Sequence, residues 1–403
     1  MTEFVRGSLD HCVKCTICES FCPVAAVTAD FPGPKYVGPQ AERYRGEGRS
    51  PDNSLGLCSG CGICTHVCPQ GVQIAEINAQ AGAALKRERG VPLRDQLIAR
   101  PTVAGRLSAP VAPLANLPLH SRLVRLAMER TLGIHRKAPV PEVQRPTLRS
   151  WARRRTPAPG TRTIVYFHGC TAAYFDTETA RMAVEVLEHN GFRVLMPRQG
   201  CCGLPLQSNG LFPAARRTVR RLTRHLAPYA KSGQRIVATS TSCGLMLKRE
   251  AREILGIEDA DLAAVGERTF DICELLLDLH EAGELRTDFA ELPLTVPYHA
   301  PCQLRGHRIG TPALELMALV PGLEVVESEV PCCGIAGTYG LKREKYDVAM
   351  AVGEPLFAQV RELKPEVVVC DSETCRWQIA AATGVPVVHP VAILHRAYGL
   401  GAE

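Results

Sequence analysis

The sequence contains no run of about 20 predominantly apolar residues, the length a membrane-spanning helix needs, and its uncharged stretch Leu107–Ser121 is interrupted by Pro110, Pro113 and Pro118. It has no G-x-G-x-x-G, since Gly334, Gly337 and Gly340 stand three apart, so the dinucleotide fingerprint is missing. P-loop and G-x-S-x-G motifs are also absent, which removes the usual signatures of nucleotide hydrolysis and esterase chemistry. Aromatic residues make up 5% of the chain, with two tryptophans, leaving little to stack bases; no nucleic-acid partner is expected. The opening MTEFVRGSLDHC places acids ahead of any apolar run, which argues against a secretory signal and for a cytoplasmic location. No catalytic residue emerges from these patterns.

What the chain does have is cysteine, 18 in 403 residues. Thiols in a reducing compartment bind metal or react rather than form structural disulfides. CVKCTICESFCP and CSGCGICTHVCP supply Cys12, Cys15, Cys18 and Cys22 before Pro23, and Cys58, Cys61, Cys64 and Cys68 before Pro69. Both are the C-x2-C-x2-C-x3-C-P run of bacterial ferredoxins, in which the fourth cysteine ligates the other cluster. The expected ligand sets for two [4Fe–4S] clusters are Cys12, Cys15, Cys18 and Cys68, and Cys58, Cys61, Cys64 and Cys22. Zinc fits less well, because its sites favour two separated pairs. The 35 residues between the runs include FPGPKYVGP, which reads as a turn-rich spacer. GVQIAEINAQAGAALKRERG has helical periodicity.

Residues 85–155 carry 16 Lys or Arg against four acids, a net of +12 in a chain of +6. Within this basic connector, SRLVRLAMERTLGI places Leu123, Val124, Ala127, Met128 and Leu132 on one side of a helix and Arg122, Arg125 and Glu129 on the other. Such a helix can lie on an anionic membrane; the ordinary alternative is that its apolar side packs on its own domain.

Beyond TPAPG the texture alternates. TRTIVYFHGC, FRVLMP and QRIVATS read as strands separated by helices, DTETARMAVEVLEHNG as a capped helix, and the pattern recurs in LPLTVPYHAPC, LEVVES and PEVVVCDS. Cysteines make the repeat quantitative: Cys170, Cys201, Cys202 and Cys243 recur as Cys302, Cys332, Cys333 and Cys375 at offsets of 132, 131, 131 and 132. This implies duplication of a unit built on a parallel sheet, with thiols at the carboxyl edge where such sheets hold ligands. Neighbouring cysteines such as Cys332 and Cys333 are poorly placed for a mutual disulfide, and both reach one centre only where the backbone turns, which Gly203 and Gly334 permit. Each set could hold a cluster or zinc, or be a vestige of buried thiols. His168 and His299 precede the leading cysteines and could tune or protonate a site, but read first as packing near strand ends; His66 reads as exposed, Cys273 as core and Trp377 as packing rather than an electron relay.

YFHGC, CCGLPL, CCGIAGTYG and DSETCRWQI, with the two ferredoxin runs and FPGPK, resemble the CCG-domain iron–sulfur proteins. That family includes the B subunits of heterodisulfide reductases, the iron–sulfur subunits of lactate and glycolate oxidases and, with the same motif order along the whole chain, the C subunits of anaerobic glycerol-3-phosphate dehydrogenases. Where these relatives end the second motif in C-x-x-C, Ser372 replaces the first cysteine, with Cys370 two residues earlier, and Ser240 likewise precedes Cys243. A five-thiolate cluster is therefore not expected; a four-thiolate site is, with Cys370 as a candidate fifth ligand in the second unit. The resemblance implies an α/β multidomain fold. Residues 1–84 form an α-helical ferredoxin-like two-cluster module, 85–160 a basic helical linker, and 161–290 and 291–403 duplicated α/β CCG domains. It implies an electron-transfer protein, peripheral on the inner face of the cell membrane, working between a flavoprotein dehydrogenase that oxidises glycerol 3-phosphate and membrane quinone. The rival functions are a reductase whose CCG site performs its own disulfide or quinone chemistry, and the iron–sulfur subunit of a lactate or glycolate oxidase.

Overall fold

In the computed structural model, which describes residues 1–48 and 52–401, the N-terminal segment consists of short helical turns around one longer helix, α1 (Ile74–Arg89). One-turn helices Ile17–Ser20 and Ile63–His66 occupy equivalent places in the two cysteine runs. The FPGPKYVGP stretch is not simply a loop: Tyr36–Gln40 makes a helical turn that buries Val37, Gly38 and Pro39. A Cβ on Gly38 would stand 2.8 Å from Asn78 Oδ1 on α1. Turn-forming residues serve here for close backbone approach to a helix, which their local chemistry does not reveal.

The connector folds into α2 (Leu93–Ile98), α3 (Pro101–Ser108), α4 (Ala112–His120) and α5 (Arg122–Leu132). The Ser121 hydroxyl caps α5 by accepting from the Val124 amide, and Gly133 ends it at a φ of 67°. The packing of α5 reverses the ordinary expectation: Leu123 is 79% exposed whereas Arg125 is 9% exposed. The chain after α5 runs back beneath it and presents carbonyls. Arg125 donates to those of Arg136, His135 and Ala138, while Glu129 meets His135 Nε2 at 3.4 Å. Unpaired buried carbonyls are costly, so Arg125 turns inward to satisfy them with Glu129 beside it, while Arg122, Leu123 and Val124 are left outside.

The remainder is a true duplication. Its first half runs β1 (Arg162–Tyr166), α6 (Thr177–His189), β2 (Phe192–Leu195), α7 (Phe212–Lys231), β3 (Ile236–Ala238), β4 (Thr269–Asp271) and α8 (Ile272–Glu281). The second runs β5 (Leu294–His299), α9 (Pro312–Ala318), β6 (Leu323–Glu327), α10 (Arg343–Leu363), β7 (Val368–Cys370), α11 (Glu373–Thr383), β8 (Val387–Val388) and α12 (Pro390–Ala397). The sheets have strand orders β2-β1-β3-β4 and β6-β5-β7-β8, parallel throughout. The outer strands β4 and β8 are too short to register as periodicity in sequence.

The two units are not independent. Helix α6 packs on α12 and α8 on α9, the same pairing repeated with the units exchanged. A single cluster of buried side chains takes in Leu187, Val194 and Leu276 from the first unit and Val296, Leu316 and Leu394 from the second. Tyr166 and Tyr298, equivalent on β1 and β5, are fully buried, with hydroxyls 2.8 Å from Thr239 Oγ1 and 2.7 Å from Asp371 Oδ2. Asp176, placed to cap α6, makes no cap hydrogen bond. Its carboxylate instead accepts from buried Arg376 of the second unit at 2.5 Å.

Candidate metal centres

The two ferredoxin runs fold alike. Lys14 and Thr16 have φ of 61° and 68°, matched by 71° and 81° at Gly60 and Gly62, so each run wraps through two left-handed residues. Only the second run uses glycine for this; the first holds the same curve with residues that disfavour it. Around these turns Cys18 stands in the field of Cys12, Cys68 and Cys15, and the four cysteines line one small cavity. Cys64 stands in the field of Cys61, Cys58 and Cys22. Burial pushes Cys18 and Cys58 each up to about 11, and Cys61 and Cys64 upward as well. A thiolate at such a place needs a neighbouring cation, and two sets of soft sulfur donors suit iron–sulfur centres.

The turns at the vicinal cysteines also match. Gly203 and Gly334 have φ of 94° and 87°, and their amides donate to Cys201 Sγ at 3.4 Å and Cys332 Sγ at 3.3 Å. Each pair then divides its thiols. Cys170 donates to Cys201 and holds it well below the usual thiol range, with Cys202 contributing; Cys202 and Cys243 sulfurs are 3.3 Å apart. In the second unit Cys302 donates to Cys332. Cys375 is held low by Cys333 and then by Cys370, so Cys370, two residues out of pattern, lies beside Cys375. Ser240 is turned away, donating to Glu373 Oε1 at 3.0 Å, and Ser372 Oγ lies 3.3 Å from Thr374 Oγ1.

The sets are not isolated from one another. Cys332 lies in the field of Cys61 and Cys22, and Cys302 in that of Cys61. A cavity of about 1370 Å³ carries Cys61, Cys202, Cys243, Cys302 and Cys333 on its wall, so all but the Cys12 set face a common space.

Of the remaining candidates, His66 is exposed and Cys273 is fully buried at the start of α8, as the sequence suggests. Trp377 packs beside a small cluster with Phe175. His168 Nδ1 sits 2.7 Å from the Gly169 carbonyl. His299 differs: it is fully buried, neither ring nitrogen has a nitrogen or oxygen partner among the described residues, and one lies within 4.8 Å of the Cys333 and Cys375 sulfurs. After Cys333 and Cys370, it is His299 that helps hold the Cys375 thiol low. Its proximity to the leading cysteine is the only sequence signal, and packing alone does not account for a nitrogen this near to two sulfurs.

Residues 8–72 match the 4Fe-4S dicluster domain family, and residues 164–248 and 296–380 each match the cysteine-rich domain family. The chain is 33% identical over 395 residues to the C subunit of the anaerobic glycerol-3-phosphate dehydrogenase of Escherichia coli (strain K12), covering 97% of this chain and 98% of that protein. It is 27% identical to the B subunit of the fumarate reductase (CoM/CoB) of Methanothermobacter marburgensis, covering 94% of this chain and 68% of the relative. To the D subunit of the dihydromethanophenazine:CoB–CoM heterodisulfide reductase of Methanosarcina barkeri it is 24% identical, covering 93% and 89%. With its ferredoxin-type runs, its twofold cysteine-rich unit and end-to-end likeness at this identity, the chain belongs to the family of anaerobic glycerol-3-phosphate dehydrogenase C subunits.

Proposed function

We propose that this chain is the non-catalytic iron–sulfur subunit of a quinone-linked dehydrogenase, relaying electrons from a glycerol 3-phosphate-oxidising flavoprotein toward membrane quinone. The observation that carries this is the proximity of Cys332 to Cys61 and Cys22, which puts the sulfur donors of the ferredoxin-like module against those of the second cysteine-rich unit. Cys12, Cys15, Cys18 and Cys68 would hold one [4Fe–4S] cluster and Cys58, Cys61, Cys64 and Cys22 the other. Cys170, Cys201, Cys202 and Cys243, and Cys302, Cys332, Cys333, Cys375 and Cys370, would hold further metal. Bound iron–sulfur clusters supply one-electron acceptance, which suits a flavin partner that takes a hydride and releases electrons singly. The residues themselves supply the donors, exclude water by burial, and leave Cys12, Cys15 and Cys68 nearer the surface.

A second element supports docking to a lipid surface. Leu107, Leu114, Leu117 and Leu123 on α3, α4 and α5 are among the most exposed large apolar side chains, and exposed Arg106 and Arg122 accompany them. No helix among the described residues is long and apolar enough to cross a membrane. This combination is that of an interfacial rather than a spanning element, apolar groups entering the headgroup boundary beside cations that favour anionic lipid. Domain limits of 1–84, 85–160, 161–290 and 291–403 accompany this reading.

The test is anaerobic purification of the full chain with iron and sulfide analysis. About eight iron atoms for the N-terminal module, plus metal in the repeats, and a reduced paramagnetic signal that reoxidises with a quinone are expected. A colourless protein without iron overturns the reading.

A further inference from the structure

The two cysteine-rich units share topology and offset but not the residues around their vicinal pairs. At the end of β5, His299 is the register partner of Cys370 on β7. The corresponding positions on the first sheet are Phe167 and Ala238, both buried and apolar. The second unit therefore adds a nitrogen donor and a sulfur donor, side by side, where the first has hydrocarbon. The Cys375 sulfur reaches them from α11, and Cys333 from the turn before Gly334.

His299 is also in an energetically awkward position. It is wholly buried, and neither ring nitrogen has a nitrogen or oxygen partner among the described residues. A buried imidazole with no nitrogen or oxygen partner, left with the Cys375 thiol as its neighbour, is poorly satisfied at a cost that a merely packing residue would not incur; phenylalanine fills the equivalent place in the first unit without that cost. An imidazole nitrogen within 4.8 Å of two cysteine sulfurs has a ready explanation as a donor to an ion that the sulfurs also bind. Mixed cysteine and histidine donors are an established combination for tetrahedral metal, and replacement of cysteine by histidine on an iron–sulfur centre raises its reduction potential.

We infer that His299 is a metal ligand of the second cysteine-rich unit, forming with Cys333 and Cys375 a mixed nitrogen and sulfur site that the first unit lacks, with Cys370 beside Cys375. This rests on the proposal that the repeats hold metal. The first unit keeps only the thiols of Cys170, Cys201, Cys202 and Cys243. The two sites consequently differ in donor set although their scaffolds coincide, and the unit with nitrogen is the one whose Cys302 and Cys332 adjoin Cys61.

The experiment uses the full-length protein purified without oxygen, its metals quantified by mass spectrometry, and a second sample grown with ¹⁵N-histidine. If the repeats contain iron, pulsed paramagnetic resonance of the reduced protein should show a directly coupled ¹⁵N; if zinc, its absorption edge should show imidazole scattering. The expected eight N-terminal cysteines offer no such nitrogen. His299→Phe, which copies the first unit, should abolish the nitrogen signature and lower metal content by no more than one site, with the N-terminal iron retained. Because the signature is read on the unmutated protein, the inference does not depend on the variant folding. Metal in the repeats with no nitrogen signature, or a signature that survives His299→Phe, overturns the assignment of His299 alone. Repeats without metal, beside an iron-loaded N-terminal module, overturn this inference and the metal-bearing role of the repeats together.

Discussion

Gly203 and Gly334 follow their cysteine pairs at equivalent positions and with similar left-handed φ, yet their surroundings differ. A Cβ on Gly203 would meet Val219 Cγ2 at 3.2 Å and the backbone oxygen of Ala215 at 3.3 Å, tight contacts that a shift of a few tenths of an ångström relieves; on Gly334 it would lie 1.8 Å from the backbone oxygen of Ala349 in α10. Gly203→Ala should therefore cost about 1–2 kcal/mol, mostly left-handed strain, whereas Gly334→Ala should prevent α10 from seating and lower thermal stability far more. Equal melting temperatures for the two variants would contradict this. Glu250 offers a pH test. Burial pushes its carboxyl up to about 7, with Glu76 and Glu253 adding to the effect, although Gln207 donates to it at 2.9 Å. Its folded value exceeds the unfolded one, so the proton it holds favours the fold below about pH 4.5 and that contribution is lost as pH rises through about 7. Glu250→Gln should flatten this decline and gain about 1 kcal/mol at pH 8, measured as melting temperature against pH. At this scale the cysteines were legible because their spacing is itself the signal. The surroundings of His299 were not, because Cys333 comes to it from the turn before Gly334 and Cys375 from α11, placements that spacing does not encode.

Helix α5 shows what an amphipathic pattern can and cannot say. The pattern correctly divides Leu123 and Val124 from Arg125 and Glu129, but which side faces the protein depends on what the following residues present. Here they present carbonyls, so the cation goes inside. That orientation makes two substitutions diverge. Replacing Leu107, Leu114, Leu117 and Leu123 together by serine should leave the melting temperature nearly unchanged, since these side chains bury little in the fold, while reducing binding to vesicles containing phosphatidylglycerol at least tenfold. Arg125→Leu should do the opposite, lowering stability by about 1–3 kcal/mol through the orphaned carbonyls. Vesicle binding that survives the fourfold leucine change would remove the lipid-facing role of α3–α5. Long helices and interior strands were readable from periodicity, as α1, α7 and β1 show. The edge strands β4 and β8 were not, because residues so few gain their strand geometry from the neighbour they pair with.

For the molecule as a whole, a central polar junction is Asp95, 2% exposed, which accepts from Lys86 and Lys342 at 3.0 Å each and Arg94 at 3.1 Å. Lys342 also donates to Asn209 at 2.9 Å. The N-terminal helix, the connector and the second cysteine-rich unit thus meet at one carboxylate, and the first unit joins them through Asn209 on Lys342 and Lys86. Burial opposes its charge, but Lys342 and Lys86 outweigh that and bring it down to about 2. Its contribution is present above the unfolded value and lost as pH falls through about 2. Asp95→Asn should cost roughly 3 kcal/mol at neutral pH by leaving Lys342 buried without its anion, detectable by denaturant titration. None of these partners is near Asp95 in sequence except Lys86 and Arg94, so the junction was invisible before the fold. The duplication was visible, but the sharing of a core was not, because offsets report similarity between units and nothing about contact between them. That sharing has an evolutionary reading. Two identical protomers related by a twofold axis must change in step, since every mutation appears twice; once fused in tandem, either half can drift toward new chemistry while its sibling continues to shelter the common interior. Phe167 opposite His299 and Ala238 opposite Cys370 are the marks of such divorce between architecture and inheritance.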